Sequence, residues 1–312
     1  MKTPHEQPSR AGEADGRFES GAREYAEYLR TAEGRLRLDI AWENFRSTLA
    51  GRAAAPRTVS DTPNNDAPPS VSPDETGGAR GFALDLGCGT GALSVRLARA
   101  GWSVCAADSS GAMIEIARES ARREGCEDAI EFFRLDAALA ADTFGPRKFS
   151  AVVCHNVLEY VADPAPVVGA IGRVLAPGGL ASLLARNRAG EALRDAIRRH
   201  DLDSAGRALA AESVRESLYG GPARLFDAES LRGLAAGAGL ETVAVRGVRV
   251  VADYLPPALS EGEESYARLL AFELLLGARA DFAAVARYVQ LIARAPAGRP
   301  GAPATVNPRR PS

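Results

Sequence analysis

The sequence predicts an α/β domain on a seven-stranded, mostly parallel sheet with helices on both faces, preceded by an N-terminal helical segment. Three observations predict it. From residue 81 onward, short apolar runs alternate with helical stretches, as in a parallel sheet covered by helices. The first run ends in Gly87-Cys88-Gly89-Thr90-Gly91 and passes directly into a helical stretch, the strand, tight turn and helix N-terminus that together let a ligand lie against the main chain. The second run ends in Asp108, about twenty residues past the first glycine, where a carboxylate can accept hydrogen bonds from a ribose.

The individual elements follow from their residues. Residues 1–20 are polar and rich in Gly, Glu and Arg, and 296–312 are dominated by Pro, Gly, Ala and Arg; neither end carries the apolar surface that offsets the entropy of ordering, so both are predicted to be disordered. Within 21–52, Tyr25, Tyr28, Leu29, Leu36, Ile40 and Phe45 recur at spacings mostly of three or four, which predicts an amphipathic helix pair bent near Gly34. Pro56, Pro63, Pro68, Pro69 and Pro73 among Ser, Thr, Asn and Asp make 53–80 a linker or surface insertion. The main domain then spans 81–295, with strands at 82–86, 103–107, 130–134, 151–154 and 180–184 and helices at 92–100, 111–124 and 165–175. Strands at 242–246 and 288–293, with helices at 228–238 and 263–276, complete the sheet. The polar segment 200–224 reads either as a substrate-capping insertion or as a solvated helix pair.

Composition excludes several classes. The chain has 312 residues, 46% hydrophobic and 25% charged, with 38 basic against 40 acidic side chains, so no overall positive field holds a polyanion and any nucleic acid is engaged locally. No apolar stretch has the length of a spanning helix and the N-terminus has no apolar signal core, which predicts a cytoplasmic protein. Cys88, Cys105, Cys126 and Cys154 form no CxxC pair; they are expected to be reduced thiols in a buried sheet, with neither a metal site nor a disulfide frame. The only lysines, Lys2 and Lys148, follow no glycine loop, and no tyrosine has a lysine four residues on. These absences exclude a P-loop and the Tyr-Lys pair of short-chain dehydrogenases.

Taken as GxGxx[GA], Gly87 to Ala92 also fits nicotinamide enzymes, and its context decides. Asp108, with Ser109 beside it, is the ribose candidate, and Asp85 is placed to orient an amine or the glycine loop itself. The string Asp85-Leu86-Gly87-Cys88-Gly89-Thr90-Gly91, followed by Asp108 and by Leu175-Ala176-Pro177-Gly178-Gly179, resembles the Rossmann-like class I S-adenosylmethionine-dependent methyltransferases over most of residues 80 to 294. Gly34-Arg35-Leu36-Arg37 with Trp42, the stretch 155–164, the stretch 247–255 and Arg287-Tyr288-Val289 are similar to the bacterial tRNA 5-carboxymethoxyuridine methyltransferase family.

That resemblance implies S-adenosyl-L-methionine as cofactor and an N-terminal helical lid from which Arg37 reaches it. It implies Gly87 and Gly89 as the cofactor's floor, Asp108 on the ribose, Asp136 or Ala137 beside the adenine, and His155 facing the methionine part. The implied acceptor is a carboxylate, on the tRNA wobble uridine or on a small molecule. A carboxylate is already ionised at neutral pH and needs positioning groups rather than a base. Arg186, Asn187 and Arg249 are the positioning candidates, and a phenol or amine acceptor would instead call on His155 or Glu159 as base. The chain departs from the family in having Arg186-Asn187 in place of a Tyr-Asn pair and in lacking a basic run after it. Tyr254 and Tyr266 are either base-stacking or interior residues. The competing readings are a small-molecule O- or N-methyltransferase and a non-catalytic nucleoside-binding module.

Overall fold

The computed structural model describes residues 11–50, 81–216 and 220–297. The predicted linker over 53–80, residues 1–10 and residues 298–312 lie outside the described residues. Residues 11–20 depart from the expected disorder, since helix α1 runs Ala11–Tyr28. Its polar residues find partners on other elements: both carboxylate oxygens of Glu19 accept backbone N–H groups, from Gly111 at 2.6 Å and Ala112 at 2.9 Å. Helix α2 (Ala32–Leu49) starts at Thr31, whose hydroxyl accepts from the Gly34 amide at 3.1 Å. The break between the helices falls before Gly34. A Cβ at Gly34 would lie 2.1 Å from the Tyr28 carbonyl oxygen, so only glycine permits so close a turn.

All seven predicted strands are present: β1 (Phe82–Leu86), β2 (Ser103–Asp108), β3 (Ile130–Arg134), β4 (Phe149–His155), β5 (Leu175–Arg186), β6 (Glu241–Val248) and β7 (Tyr288–Arg294). Their order is β3-β2-β1-β4-β5-β7-β6. Strands β1 to β5 pair in parallel, while β7 runs antiparallel to both β5 and β6. The order reverses between β1 and β4, and a ligand crevice forms at the carboxyl ends of such strands.

Helices α3 (Ala92–Arg99) and α4 (Gly111–Arg123) cover one face with α2. On the other lie α5 (Ala140–Phe144), α6 (Pro164–Val174) and α9 (Ala228–Gly237). Alternation along the strands feeds both cores: Leu84 and Leu86 face α6, while Ala83 and Val153 face α3 and Phe45. Beyond β5 come α7 (Arg188–Arg198) and α8 (Leu202–Ala210), and between β6 and β7 come α10 (Glu263–Gly277) and α11 (Ala280–Ala283).

The predicted lid over 21–52 divides into two parts with different roles. Leu36, Ile40, Ala41 and Phe45 of α2 are buried in the domain core. Asn44 donates to Gln290 at 2.9 Å, and Gln290 donates to the Ala41 carbonyl and to Ser182 at 2.9 Å each. Helix α2 is therefore a core element, and α1 alone lies over the site. Of the cysteines, Cys105 and Cys154 sit in strands as expected, whereas Cys88 is in the glycine loop and Cys126 follows α4; all are buried and unpaired. Among the described residues no helix is long and apolar enough to cross a membrane.

Candidate active site

The glycine loop is tied down by its own backbone. The amides of Gly87 and Cys88 both donate to the Ala107 carbonyl, at 2.7 and 3.0 Å, which joins the end of β1 to the end of β2. Gly87 has φ +77°, and a Cβ there would meet Val157 Cγ2 at 2.1 Å, so a side chain is excluded on both counts. Asp108 accepts from the Gly89 amide at 2.8 Å and from the Ser110 amide at 2.9 Å.

Asp85 lies beneath the loop, 3% exposed, and accepts from the Ser94 hydroxyl at 2.6 Å. Burial, aided by the Asp108 charge, raises its pKa from 3.8 to about 7. The folded state therefore holds a proton that the unfolded chain has already lost, and stability falls as pH rises between about 4 and 7, by about 4 kcal/mol. Urea denaturation of the ligand-free protein at pH 5 and 8 should show Asp85→Asn losing less stability over this interval than the wild type. Equal losses would show that the carboxyl titrates normally.

A cavity of about 640 Å³ opens at the carboxyl edge of the sheet. Of the residues singled out by sequence, Arg37, Gly87, Gly89, Asp108, Ser109, Asp136, Ala137, His155, Arg186 and Arg249 line it. Asp85 lines only a small adjoining void, together with Gly87 and His155. Asn187 is not brought to the cavity. Its side-chain amide donates to the carbonyls of Ala284 at 2.9 Å and Ala286 at 2.8 Å, so both donors are consumed in clipping the start of α7 to the segment before β7. Tyr266 is an interior residue, 4% exposed, with its hydroxyl donating to Asp39 and Arg35 over its ring. Tyr254 lies in a short turn and does not line the cavity.

His155 ends β4 with Nε2 2.8 Å from Ser182 Oγ. Gln290 donates to the same hydroxyl, so Ser182 joins the His155 ring to the Gln290 amide. Burial, helped by the Arg37 charge, lowers the His155 pKa to about 3. The imidazole is neutral throughout the physiological range. Arg37 projects from α2, is 5% exposed, and donates to the Tyr25 hydroxyl at 2.8 Å. The rings of Tyr25, Tyr28 and Tyr288 pack around its guanidinium at 5.1–5.7 Å. Among the described residues no carboxylate lies within ion-pair distance of it, so this buried cation is left to meet an anion from the cavity.

The far end of the cavity is a chamber of arginines. Arg186 lies 3.6 Å from Glu191 and 3.5 Å from Glu216. Arg249 binds Asp253 and Glu33, and Arg287 binds Glu191. Arg249 has φ +59°, and the turn after it is held by buried Glu273, which accepts from the amides of Val250, Val251 and Ala252. Sequence reasoning missed Tyr288, Arg287, Arg194, Tyr160, Asp253 and Glu216 as lining residues. The one local signal available was that 155–164, 247–255 and 287–289 carried the family resemblance. Segment 200–224 reaches the site through Glu216, beside a hairpin of Ser213–Arg215 and Pro222–Arg224, while α8 packs against α7.

Helix α1 crosses the mouth. Phe18 meets Tyr160 edge-on at 5.2 Å, Arg17 donates to the Gly220 carbonyl at 2.6 Å, and Glu19 caps α4. Tyr25 lies against Gly89, where a Cβ would approach its ring to 3.2 Å. These contacts close the glycine loop and the arginine chamber under one helix.

The site thus joins the glycine loop and Asp108 to a chamber of ion-paired arginines. Residues 83–179 match the model of a methyltransferase domain family. The chain is a class I S-adenosylmethionine-dependent methyltransferase. It is similar to the tRNA 5-carboxymethoxyuridine methyltransferase of Escherichia coli K12, 27% identical over 273 residues that cover 85% of this chain and 90% of the relative. The ubiquinone biosynthesis O-methyltransferase of Xanthomonas oryzae is 39% identical over 114 residues, 36% of this chain and 44% of its own. Among solved structures, the Burkholderia thailandensis 1,6-didemethyltoxoflavin-N1-methyltransferase shares the fold, with TM-score 0.54 and 13% identity over 95% of this chain and 93% of that one.

Proposed function

We propose that the chain transfers the methyl group of S-adenosylmethionine to a carboxylate, that of 5-carboxymethoxyuridine at the tRNA wobble position, in the cytoplasm. The observation that carries this reading is the acceptor chamber, which is rich in buried guanidinium groups and poor in available bases. Arg186, Arg194, Arg249 and Arg287 line it, while Glu33, Glu216 and Asp253 are each ion-paired to an arginine. His155 is too weakly basic, and Glu159 lies outside the cavity lining with its pKa raised by burial. Such a chamber suits an acceptor that arrives already ionised. The E. coli relative's named substrate bears such a group, and the alignment with it covers 85% of this chain. The runner-up, a small-molecule methyltransferase, is favoured by the closed mouth under α1.

In this reading Asp108 takes the ribose hydroxyls, Ser109, Asp136 and Ala137 surround the base, Gly87 and Gly89 let the cofactor lie on the backbone, and Arg37 grips its carboxylate. When bound, the sulfonium supplies an electrophilic methyl group with its own leaving group. The protein's work is then alignment and exclusion of water. Arg186 and Arg249 hold the acceptor, His155 packs as a neutral wall, and α1 closes over both.

Asp108→Ala should weaken S-adenosylhomocysteine binding by about 1.5–3 kcal/mol through loss of a charge-assisted pair of hydrogen bonds. Titration calorimetry reads it, and heat with NADH but none with S-adenosylhomocysteine would overturn the cradle's assignment. A carboxylate acceptor also predicts a single-turnover rate, at saturating acceptor, that is flat between about pH 6.5 and 9. His155 adds no step in that range, having its pKa near 3. Incubating tritiated cofactor with total tRNA and with a small-molecule extract tests the acceptor itself. A base-labile methyl ester on tRNA supports the reading; a rate rising about tenfold per pH unit, or an alkali-stable methyl group, moves it to phenol or amine chemistry.

A further inference from the structure

Two polar groups in the acceptor chamber are left unsatisfied by the protein itself. Tyr288 is 5% exposed and lines the cavity, yet among the described residues its hydroxyl has no hydrogen-bond partner, its contacts being guanidinium groups against its ring at 5.7–6.0 Å. Arg186 is 9% exposed, its Nε has no partner, and its other guanidinium nitrogens reach carboxylates only at 3.5 Å or more. Leaving a buried donor such as Arg186 Nε unmade is costly, and Tyr288 beside it lines the cavity, so the site is completed by something that enters there.

The two residues are also neighbours by construction. Arg186 ends β5 and Tyr288 begins β7, and they stand directly opposite in the antiparallel register. Residues so paired put their side chains on one face with Cβ atoms about 5 Å apart. The pair lies at the carboxyl edge of the parallel strands, on the cavity side. A planar guanidinium next to a hydroxyl donor complements a planar oxyanion.

We propose that Arg186 and Tyr288 form the clamp for the acceptor's carboxylate, each donating to it and together aiming one oxygen at the methyl group. The inference rests on the carboxylate reading above and adds Tyr288 as a substrate-binding residue. In the step itself the carboxylate oxygen forms the new bond to carbon, the carbon–sulfur bond breaks and sulfur keeps the pair. No proton moves, so the Tyr288 hydroxyl stays a donor throughout.

A phenol grips an anion only while protonated. Burial alone would raise the Tyr288 pKa, but Arg37 from α2, Arg186 from β5, and Arg287 and Arg249 beside it outweigh burial and bring it down to about 8. Tyr28 on α1 and Tyr160 after β4 also face it, but burial raises both, so they stay protonated where Tyr288 titrates and add no charge. The clamp therefore weakens as pH rises past about 8, seen in kcat/KM and not in the rate at saturating acceptor.

The test uses tRNA carrying wobble 5-carboxymethoxyuridine and tritiated S-adenosylmethionine. Tyr288→Phe should raise KM for this tRNA about tenfold at pH 7, leave kcat within about threefold, and leave the S-adenosylhomocysteine dissociation constant unchanged. It should also abolish the fall of kcat/KM above about pH 8. Arg186→Lys, which keeps the charge beside Glu191 and Glu216, should likewise raise KM because an ammonium cannot reproduce the planar donor set. A Tyr288→Phe enzyme with wild-type KM and an intact alkaline limb overturns the clamp. Wild-type enzyme that methylates none of this tRNA overturns the carboxylate-on-tRNA reading instead. The clamp is then judged by calorimetry of the S-adenosylhomocysteine complex with free 5-carboxymethoxyuridine and with its methyl ester. Binding of the free acid at least about tenfold tighter, lost in Tyr288→Phe, upholds it, and equal binding or none rejects it.

Discussion

Arg37→Met is expected to weaken S-adenosylmethionine binding by about 3–5 kcal/mol, a loss of upward of a hundredfold in affinity. The reason is the setting of its guanidinium. It is buried, its hydrogen bond goes to the Tyr25 hydroxyl, and aromatic rings surround it. A cation so placed has given up water without gaining a carboxylate, and in the proposed complex the cofactor supplies one. Methionine fills much of the same volume without the charge. The same substitution should leave the ligand-free protein at least as stable as the wild type, because the folded state no longer buries an uncompensated charge. Differential scanning calorimetry with and without S-adenosylhomocysteine separates the outcomes. A variant that still gains the wild-type increment in Tm on adding ligand would show that Arg37 does not hold the cofactor.

The second large effect separates α1 from α2. Removing residues 1–28 should leave a folded domain that no longer transfers methyl groups, because α1 contributes cover rather than core. Its attachments include the Glu19 cap on α4, the Arg17 hydrogen bond, the Phe18 ring contact, and the Tyr25 and Tyr28 hydroxyls that accept from Arg37 and Arg249, each worth about 0.5–2 kcal/mol. What it removes from the site is larger: the wall over the glycine loop and the exclusion of water around the methyl group. Removing residues 1–50 should instead unfold the domain. Leu36, Ile40 and Phe45 are buried at about 1.5–3 kcal/mol each, against a total stability of about 5–15 kcal/mol. The loss would also strand Gln290, whose side-chain carbonyl accepts from Asn44 in the interior. Circular dichroism and single-turnover transfer on the two truncations read the difference. Equal folding of both would place α2 outside the core, and full activity of the shorter truncation would mean that α1 is no lid.

The sequence by itself determined the sheet and one half of the site. Strand, glycine turn, helix and the acid at the next strand's end are all short-range features, written within about thirty residues, and each residue type has one physical reason to be there. The cradle from Asp85 to Ser109 was therefore legible, as was the alternation of strands and helices around it.

Tertiary structure alone decided the acceptor half, because its residues meet only when β7 inserts antiparallel between β5 and β6. No spacing in the chain announces that Arg186 and Tyr288 will stand opposite each other. Nor does it say which arginine is neutralised: Arg249 binds Asp253 and Glu33, while Arg37, a residue of the same type, meets phenols and rings and no carboxylate among the described residues. Asn187 follows the same logic, adjacent in sequence to a site residue yet turned by the start of α7 toward the backbone of Ala284 and Ala286. Helix α2 looked like a lid because its apolar stripe is the same whether it packs on a core or covers a cleft. The residues it packs against decide between them, and here those are contributed by strands far along the chain. Local propensity and pattern are written in neighbouring residues, whereas pairing of charges and docking of faces are properties of contacts between distant ones.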